Sequence, residues 1–257
     1  MQAFLQTMYQ ILMENWPSYL KGTAYTLLIT FIGTSIGVFI GIMVGIVKTY
    51  PDSKIPWKQR LLTIADKLLD AYVAIFRGTP MIVQAMIIYY GTAILWDWNI
   101  SPLQAAFLIV SINTGAYMAE IIRGGIISVD HGQYEAAQTI GMTHMQAMQE
   151  IVMPQVFRNA LPAIGNEFVI NVKDTSVLNV ISVNELFFTS KTVAGTNYRF
   201  FETFLLTAII YFILTVTITW LLRRLEKRMD AVSDPYIGSG QQQLKVAPKV
   251  KVKGGVK

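Results

Sequence analysis

The chain has 257 residues, of which 53% are hydrophobic and only 14% charged, with a mean hydropathy of +0.43; it is too apolar for an ordinary soluble domain and reads as an integral membrane protein. It contains no cysteine, so disulfides and thiolate metal sites are excluded and the redox compartment is not legible. The net charge of +5 does not point to nucleic acid, because the Lys and Arg residues are placed like membrane-topology signals.

Residues 1–22 read as an external or interfacial segment, moderately amphipathic, in which Met8, Ile11, Leu12 and Trp16 are spaced to line one face. No basic region followed by a short apolar core and a small-residue cleavage site is present, so no removable signal peptide is expected. Ala24 to Val47 gives 24 residues without a charge, enough to cross a hydrocarbon core of about 30 Å. Within it Gly33, Gly37, Gly41 and Gly45 recur every four residues and form one slowly turning stripe where another backbone can come close. The stripe reads as packing within the subunit, with a dimer contact as the alternative.

Residues 48–67 carry Lys48, Lys54, Lys58, Arg60 and Lys67 among turn formers Pro51, Asp52 and Pro56, and are expected to be a loop on the cytoplasmic side. An interfacial stretch from Leu68 to Phe76 leads into Arg77-Gly78-Thr79-Pro80. Gly78 and Pro80 should bend the chain there, with a second membrane helix from Pro80 to Trp96, a short external loop from Asp97 to Pro102, and a third helix from Leu103 to Ile122. Asn113, Tyr117 and Glu120 are four and three residues apart and share a face of that third helix. Arg123, Gly124 and Gly125 mark its exit.

A mostly polar stretch follows, Tyr134 to Pro154, YEAAQTIGMTHMQAMQEIVMP, within a loop spanning 127–158. Glu135 is placed near a helix start, where the dipole favours a carboxylate; Ala136 and Ala137 extend the helix with little bulk; and Gly141 breaks it or leaves it bare. Met145, Met148 and Val152 then recur at helical spacing, and Pro154 ends the segment or opens the next helix. This predicts a compact knob of two short helices with a Met-rich apolar surface, against the plainer reading of an amphipathic connector on the membrane surface.

The fourth membrane segment, about Asn159 to Val183, holds Glu167, Lys173 and Asp174. A charge at membrane depth costs about 2.5–3.5 kcal/mol even on the lenient insertion scale, so these groups should face protein or a water-filled path. Residues 184–202 are expected to form an external loop, and Thr203 to Leu222 the fifth helix. The tail from 229 onward, rich in Gly, Gln and Lys, is expected to be disordered and cytoplasmic. The resulting plan is an all-α membrane domain over 23–228 with about five spans. Five of the 21 basic residues lie in the first internal loop and nine from Arg223 onward, against Lys21, Lys191 and Arg199 outside, which places the N-terminus outside and the C-terminus in the cytoplasm.

Glu135-Ala136-Ala137, Gly141, Ile151 and Pro154 match the EAA-x3-G-x9-I-x-L-P pattern of the membrane subunits of binding-protein-dependent ABC importers, with Met153 in place of the usual Leu. The phrases FRGTPMIVQ, AYMAEIIRGGI and LPAIGNEFVINVKDTSVLNVI resemble, in order, signatures of the polar amino acid permeases of that family. The resemblance covers about Ala24 to Lys227 and implies a type I ABC importer fold in a prokaryotic cytoplasmic membrane. It also implies a second permease chain, identical or related, two cytoplasmic ATPases and a separate extracytoplasmic solute-binding protein. The chain has no G-x4-G-K-[ST] phosphate loop, so ATP and Mg²⁺ are assigned to the partner ATPase and no cofactor or metal to this chain. By the same resemblance the 134–154 knob is the ATPase-coupling element, with Glu135 near the contact and Gly141 at its bend.

An amino acid substrate carries an ammonium and a carboxylate, so its site needs an acidic group for the first and a donor or cation for the second. Glu120 and Asp174 are candidates for the ammonium, and Lys173 and Arg77 for the carboxylate. Asn113, Thr114, Tyr117 and Ser176 are further residues of the expected path, with Asn113, Thr114 and Ser176 able to add neutral hydrogen bonds. For each charge the alternative is a structural ion pair. His131 and His144, the only histidines, both lie in the knob loop, and no HExxH or Ser-His pair is available, which argues against an intramembrane enzyme. An importer of another small polar solute, or an ATP-independent channel or scaffold, remain the rival readings.

Overall fold

The computed structural model describes residues 2–51, 53 and 55–231, and among these the regular structure is helical, with no strand. The expected disordered tail lies, beyond Ala231, outside the described residues. Helix α1, Gln2–Lys48, is one 47-residue rod with Pro17 inside it, about 70 Å long at 1.5 Å per residue. The amphipathic start and the apolar block are therefore continuous through 22–23. Met8 and Ile11 are buried as expected, but Trp16 is exposed and does not share their face.

Helix α2, Pro56–Gly78, begins inside the region read as a loop, with Pro56 at its first turn, where a missing N–H does no harm. After Thr79 and Pro80 the chain turns through 113° into α3, Met81–Trp96, so the expected bend is present. Helix α4, Pro102–Ser128, is opened by a capping box between Ser101 and Gln104 and runs through Gly124 and Gly125 rather than ending at Arg123. Helices α5, His131–Thr139, and α6, His144–Ala147, form the knob. A widened π turn over Met148–Val152 joins α6 to α7, Met153–Asp174, which continues as a 3-10 helix over Thr175–Ile181. Helix α8, Leu186–Asn197, and α9, Phe200–Ala231, complete the described fold.

The most extensive contact in the chain is between α1 and α4. Gly33, Gly37, Gly41 and Gly45 lie in register on Val110, Thr114, Met118 and Ile122. A Cβ at Gly37 would stand 2.7 Å from Thr114 Cβ and one at Gly45 2.7 Å from Ile122 Cγ2, closer than carbon atoms approach. The glycine stripe is thus consumed within the subunit. Because both numbers rise together along the seam, α1 and α4 run parallel, and the α2–α3 pair must carry the chain back between them.

Helix α7 runs the other way: Val156 lies by Gly125, and Asn171 by Thr34 and Thr114. Helix α9 reverses again, with Leu222 beside Gly165 and Tyr211 sharing a groove with Ser176. One end of the bundle therefore collects Lys48, Ser128, the knob and the C-terminal turns of α9, and the other collects the 97–101 turn and α8. Helices α1, α4 and α9 are long and apolar enough to cross a membrane, and α2 with α3 qualifies only as a bent pair. The expected fourth span, α7 and its 3-10 extension, falls short of that standard among the described residues because of its polar groups.

The segment expected to be an external loop over 184–202 is instead mostly helix. Glu185 is fully buried and caps α8, accepting from Phe187 N at 2.9 Å and Phe188 N at 2.6 Å, while Tyr211 donates to it at 3.0 Å. Satisfying a buried carboxylate with several donors is what allows it to sit there.

The glycine seam gives a direct test. Gly37→Leu should lower the thermal stability of the detergent-solubilised chain by at least about 1–3 kcal/mol through overpacking. Gly91→Leu, where a Cβ meets nothing within 4 Å, should leave the melting curve nearly unchanged.

Candidate functional site

The knob is built by three local signals. Asp130 caps α5 by accepting from Gly132 N at 2.7 Å. Glu135 is therefore in the middle of α5 and not at its start, exposed, with an oxygen 3.0 Å from His131 Nδ1. At the far end Gly141 N donates to Gln138 O at 3.0 Å and Met142 N to Ala137 O at 3.1 Å, the paired bonds of a Schellman stop. Gly141 has φ +86°, the left-handed region in which an L side chain is strained. Thr143 then opens α6 with a capping box to Gln146.

The second arm does not end at Pro154. It passes through the π turn, where Met153 N donates to Met148 O five residues back, and Pro154 sits in the first turn of α7. A proline inside an ordinary α-helix clashes with the carbonyl four residues before it; the widened turn relieves that. The knob and α7 are consequently one connected rod. Met148 and Val152 are buried on Ile122, Met153 and Val156, and Ala137 and Ala147 are also buried. Met145 does not share their face: it is 48% exposed, and Ile140 is 80% exposed. Ala136 is exposed and Ile151 half-buried.

His144 fastens the knob to the end of α1. Its ring lies 4.8 Å from that of Tyr50 and 5.7 Å from that of Tyr134, centroid to centroid. Gln138 Nε2 donates to the Tyr134 hydroxyl at 3.1 Å, and that hydroxyl shares a 2.7 Å hydrogen bond with His144 Nδ1. Burial pushes the His144 pKa down, which favours the neutral imidazole.

The residues expected to line the path do not converge on one point. Asn113 is buried and donates to Phe76 O at 3.2 Å and Gln84 Oε1 at 2.9 Å, while Gln84 Nε2 donates to Phe76 O and to both oxygens of Thr79. That network satisfies the carbonyls freed at the α2–α3 bend. Thr114 Oγ1 and Thr34 Oγ1 both accept from the Asn171 amide at 2.9 Å. Arg77 lies over the Tyr117 ring at 5.4 Å and 4.0 Å from Glu120, whose carboxylate also takes Arg123 at 3.2 Å. Asn113, Tyr117 and Glu120 thus share a face as expected, but Glu120 sits in an ion cluster. Lys173 and Asp174 are exposed at the end of α7, and Ser176 is half-buried in a groove with Lys173, Phe187, Tyr211 and Thr215.

Several polar residues that order this region were absent from the expected set. Gln84 lies four residues after Pro80, and Asn171 lies within the phrase ending at Ile181. Glu167, expected to face protein or a water-filled path, is buried two turns before Asp174 on the same face of α7, within electrostatic reach of Asp174 and Arg77.

Residues 37–231 match the family described as binding-protein-dependent transport system inner membrane component. The probable amino-acid permease protein YxeN of Bacillus subtilis strain 168 is 40% identical over 177 residues, 68% of this chain and 78% of that protein. The glutamine transport system permease protein GlnP of Escherichia coli strain K12 is 34% identical, covering 83% of this chain and 93% of GlnP. A crystal structure of an amino acid ABC transporter with histidines superposes with a TM-score of 0.72 at 36% identity, covering 84% of this chain and 96% of the other. A MetNI methionine ABC transporter in an inward-facing conformation shares the fold, with a TM-score of 0.69 at 20% identity. The chain belongs to the family of binding-protein-dependent transport system inner membrane components, and its fold is that of the type I ABC importer permeases.

The His144 contact should make the knob sensitive to pH. A histidine whose folded pKa is lowered weakens the folded arrangement only as pH falls below the unfolded value of about 6.5. Hydrogen-exchange protection over residues 143–148, measured relative to the intrinsic exchange rate at each pH, should therefore be constant above that value and fall on acidification towards pH 5. His144→Gln should remove this pH dependence.

Proposed function

We propose that the chain is a permease subunit of an ATP-driven importer of polar amino acids and that the 134–154 knob is where the cytoplasmic ATPases grip it. The observation that carries the coupling role is the knob itself. A Schellman stop at Gly141 holds the exposed apolar Ile140 and Met145 outward on the same hairpin as exposed Glu135 and Ala136, and the second arm runs without interruption into α7. A push on the hairpin then reaches the end of α7 through a single rod. ATP and Mg²⁺ belong to the partner, since the chain has no phosphate loop. A second permease chain and an extracytoplasmic solute-binding protein complete the assembly. The bundle end that carries the knob also carries Lys48 and the Arg223, Arg224, Lys227 and Arg228 cluster, so the positive-inside bias supports placing it in the cytoplasm and the N-terminus outside.

The amino acid reading rests on the substrates named for the relatives and on the polar end of α7. Of the residues considered for the ammonium, Asp174 is the better placed: it is exposed, beside Lys173, and on the face that carries Glu167. Glu120 is already held by Arg77 and Arg123, and its role is to position Arg77. Asn113, Thr114 and Tyr117 hold the surrounding helices in register, and Ser176 lines the neighbouring groove.

Co-purification in mild detergent tests the coupling role. Glu135→Arg with Gly141→Trp should release the ATPase subunits and reduce uptake at least tenfold while the chain stays folded. Retention of the ATPase by that variant would contradict the proposal. Asp174→Asn should weaken amino acid uptake at least tenfold with the ATPase still bound, whereas uptake unchanged in that variant would remove Asp174 from the path.

A further inference from the structure

Helix α2 has a surface that the fold leaves uncovered. Trp57, Leu61, Ile64, Leu68 and Ile75 are each more than half exposed, and at about 100° per residue they fall within about 40° of one line along the helix. Its protein contacts are made elsewhere on the circumference, by Leu69, Tyr72 and Val73 against Ile40, Val44 and Ala119. Tyr72 also donates to Ile112 O at 2.6 Å. Asp66 and Asp70 lie on the side opposite the apolar line, where Asp70 pairs with Lys48. The cations lie between these two faces. Arg60 falls about 70° and Lys67 about 90° to one side of the line, and Lys58 about 90° to the other. All three are exposed, and Lys58 Nζ stands 5.5 Å over the Trp57 ring.

Asp70 pairs with Lys48 at the knob end of the bundle while Phe76 O accepts from Asn113 halfway along α4, so α2 rises obliquely through one leaflet to the 113° turn, and its first half, which carries Lys58, Arg60 and Lys67, stands at the headgroup end. A helix in that orientation, with an apolar line on one side, carboxylates on the other and cations at both edges, has the charge and polarity order of the headgroup region: acyl chains, then phosphates, then water. We infer that α2 lies in the cytoplasmic leaflet and that Lys58, Arg60 and Lys67 bind the phosphates of anionic phospholipids, with the Trp57–Ile75 line seated among the acyl chains.

The test uses the full chain in nanodiscs of phosphatidylcholine alone or with phosphatidylglycerol. Because the chain has no cysteine, single spin labels can be placed at Leu61, Leu68, Thr63 and Asp66 by substitution with cysteine. Labels at Leu61 and Leu68 should collide more often with oxygen, and those at Thr63 and Asp66 with a water-soluble nickel chelate. Native mass spectrometry should find phosphatidylglycerol retained over phosphatidylcholine. Lys58→Gln, Arg60→Gln and Lys67→Gln together should reduce that preference by about fivefold per cation removed, the ratio that corresponds to about 1 kcal/mol each. Dipolar coupling between the Leu61 or Leu68 labels of two chains, or oxygen inaccessibility there, would assign the face to protein and overturn the inference. Equal retention of the two lipids would overturn the headgroup contact. Should the triple variant misfold, the labels and the lipid comparison on the otherwise unaltered chain still decide. None of these readouts depends on transport, so their outcome is separate from that of the import reading.

Discussion

The close approach of α1 and α4 along four glycines is the contact on which the rest of the bundle depends. In lipid there is little hydrophobic drive between helices, so association relies on dispersion and on backbones coming near enough to maximise it. Placing Gly33, Gly37, Gly41 and Gly45 against Val110, Thr114, Met118 and Ile122 achieves this over three helical turns. It also sets direction. Parallel neighbours require an intervening return, and the α2–α3 pair supplies it with a sharp turn that is expensive in backbone hydrogen bonds at membrane depth. The Gln84–Asn113 pair repairs that expense, because its amides occupy the carbonyls of Phe76 and Thr79. The seam, the bend and the buried amides are thus successive consequences of one packing choice.

A second polar tie locks α7 onto the same seam. Asn171 donates one amide to Thr34 on α1 and to Thr114 on α4, and Thr114 is itself the residue that Gly37 rests upon. Interhelical hydrogen bonds in membranes contribute only about 0.6–2 kcal/mol each, so this bond adds less to stability than to register. It fixes how far α7 has slid along the pair, and with it the height at which Glu167 and Asp174 stand. Of the residues read as path-lining on α4, Thr114 takes part in this tie and Asn113 in the Gln84 network at the bend.

The parts of this architecture that were legible in the sequence are those written in spacing. The four-residue glycine interval announced a seam, and the Gly78–Pro80 pair announced a bend. The extent of the helices was less legible. Residues 48–67 look like a loop because Lys, Pro and Asp cluster there, yet Pro56 is a helix starter and the apolar line of α2 passes through the same residues. The 184–202 segment reads as an external loop because it is polar, whereas Glu185 turns inward to cap α8 and finds Tyr211 from a helix that lies far along the chain. Glu135 was misplaced by half a helix because Asp130, five residues earlier, is the actual cap. Burial of a polar group depends on a partner supplied by the tertiary fold, and no local pattern announces that partner.

The π turn between the knob and α7 bears on how motion is passed. Had Pro154 broken the helix, the hairpin would hang from a flexible joint, and displacement at Glu135 would be dissipated there. The widened turn admits the proline ring and keeps the chain helical from His144 to Asp174, with a backbone donor missing at Pro154 and again at Pro162 inside α7. Under the proposed docking role, force applied at the hairpin therefore arrives at Glu167 and Asp174 as a rotation or translation of one rod. The Asn171 tie is the pivot that this rod must turn about or release, because it is the buried polar link from α7 to both parallel helices. A bistable transporter needs a joint of that kind, strong enough to hold one arrangement and weak enough, at about 1–2 kcal/mol, to be exchanged for another by a ligand that binds the two states unequally.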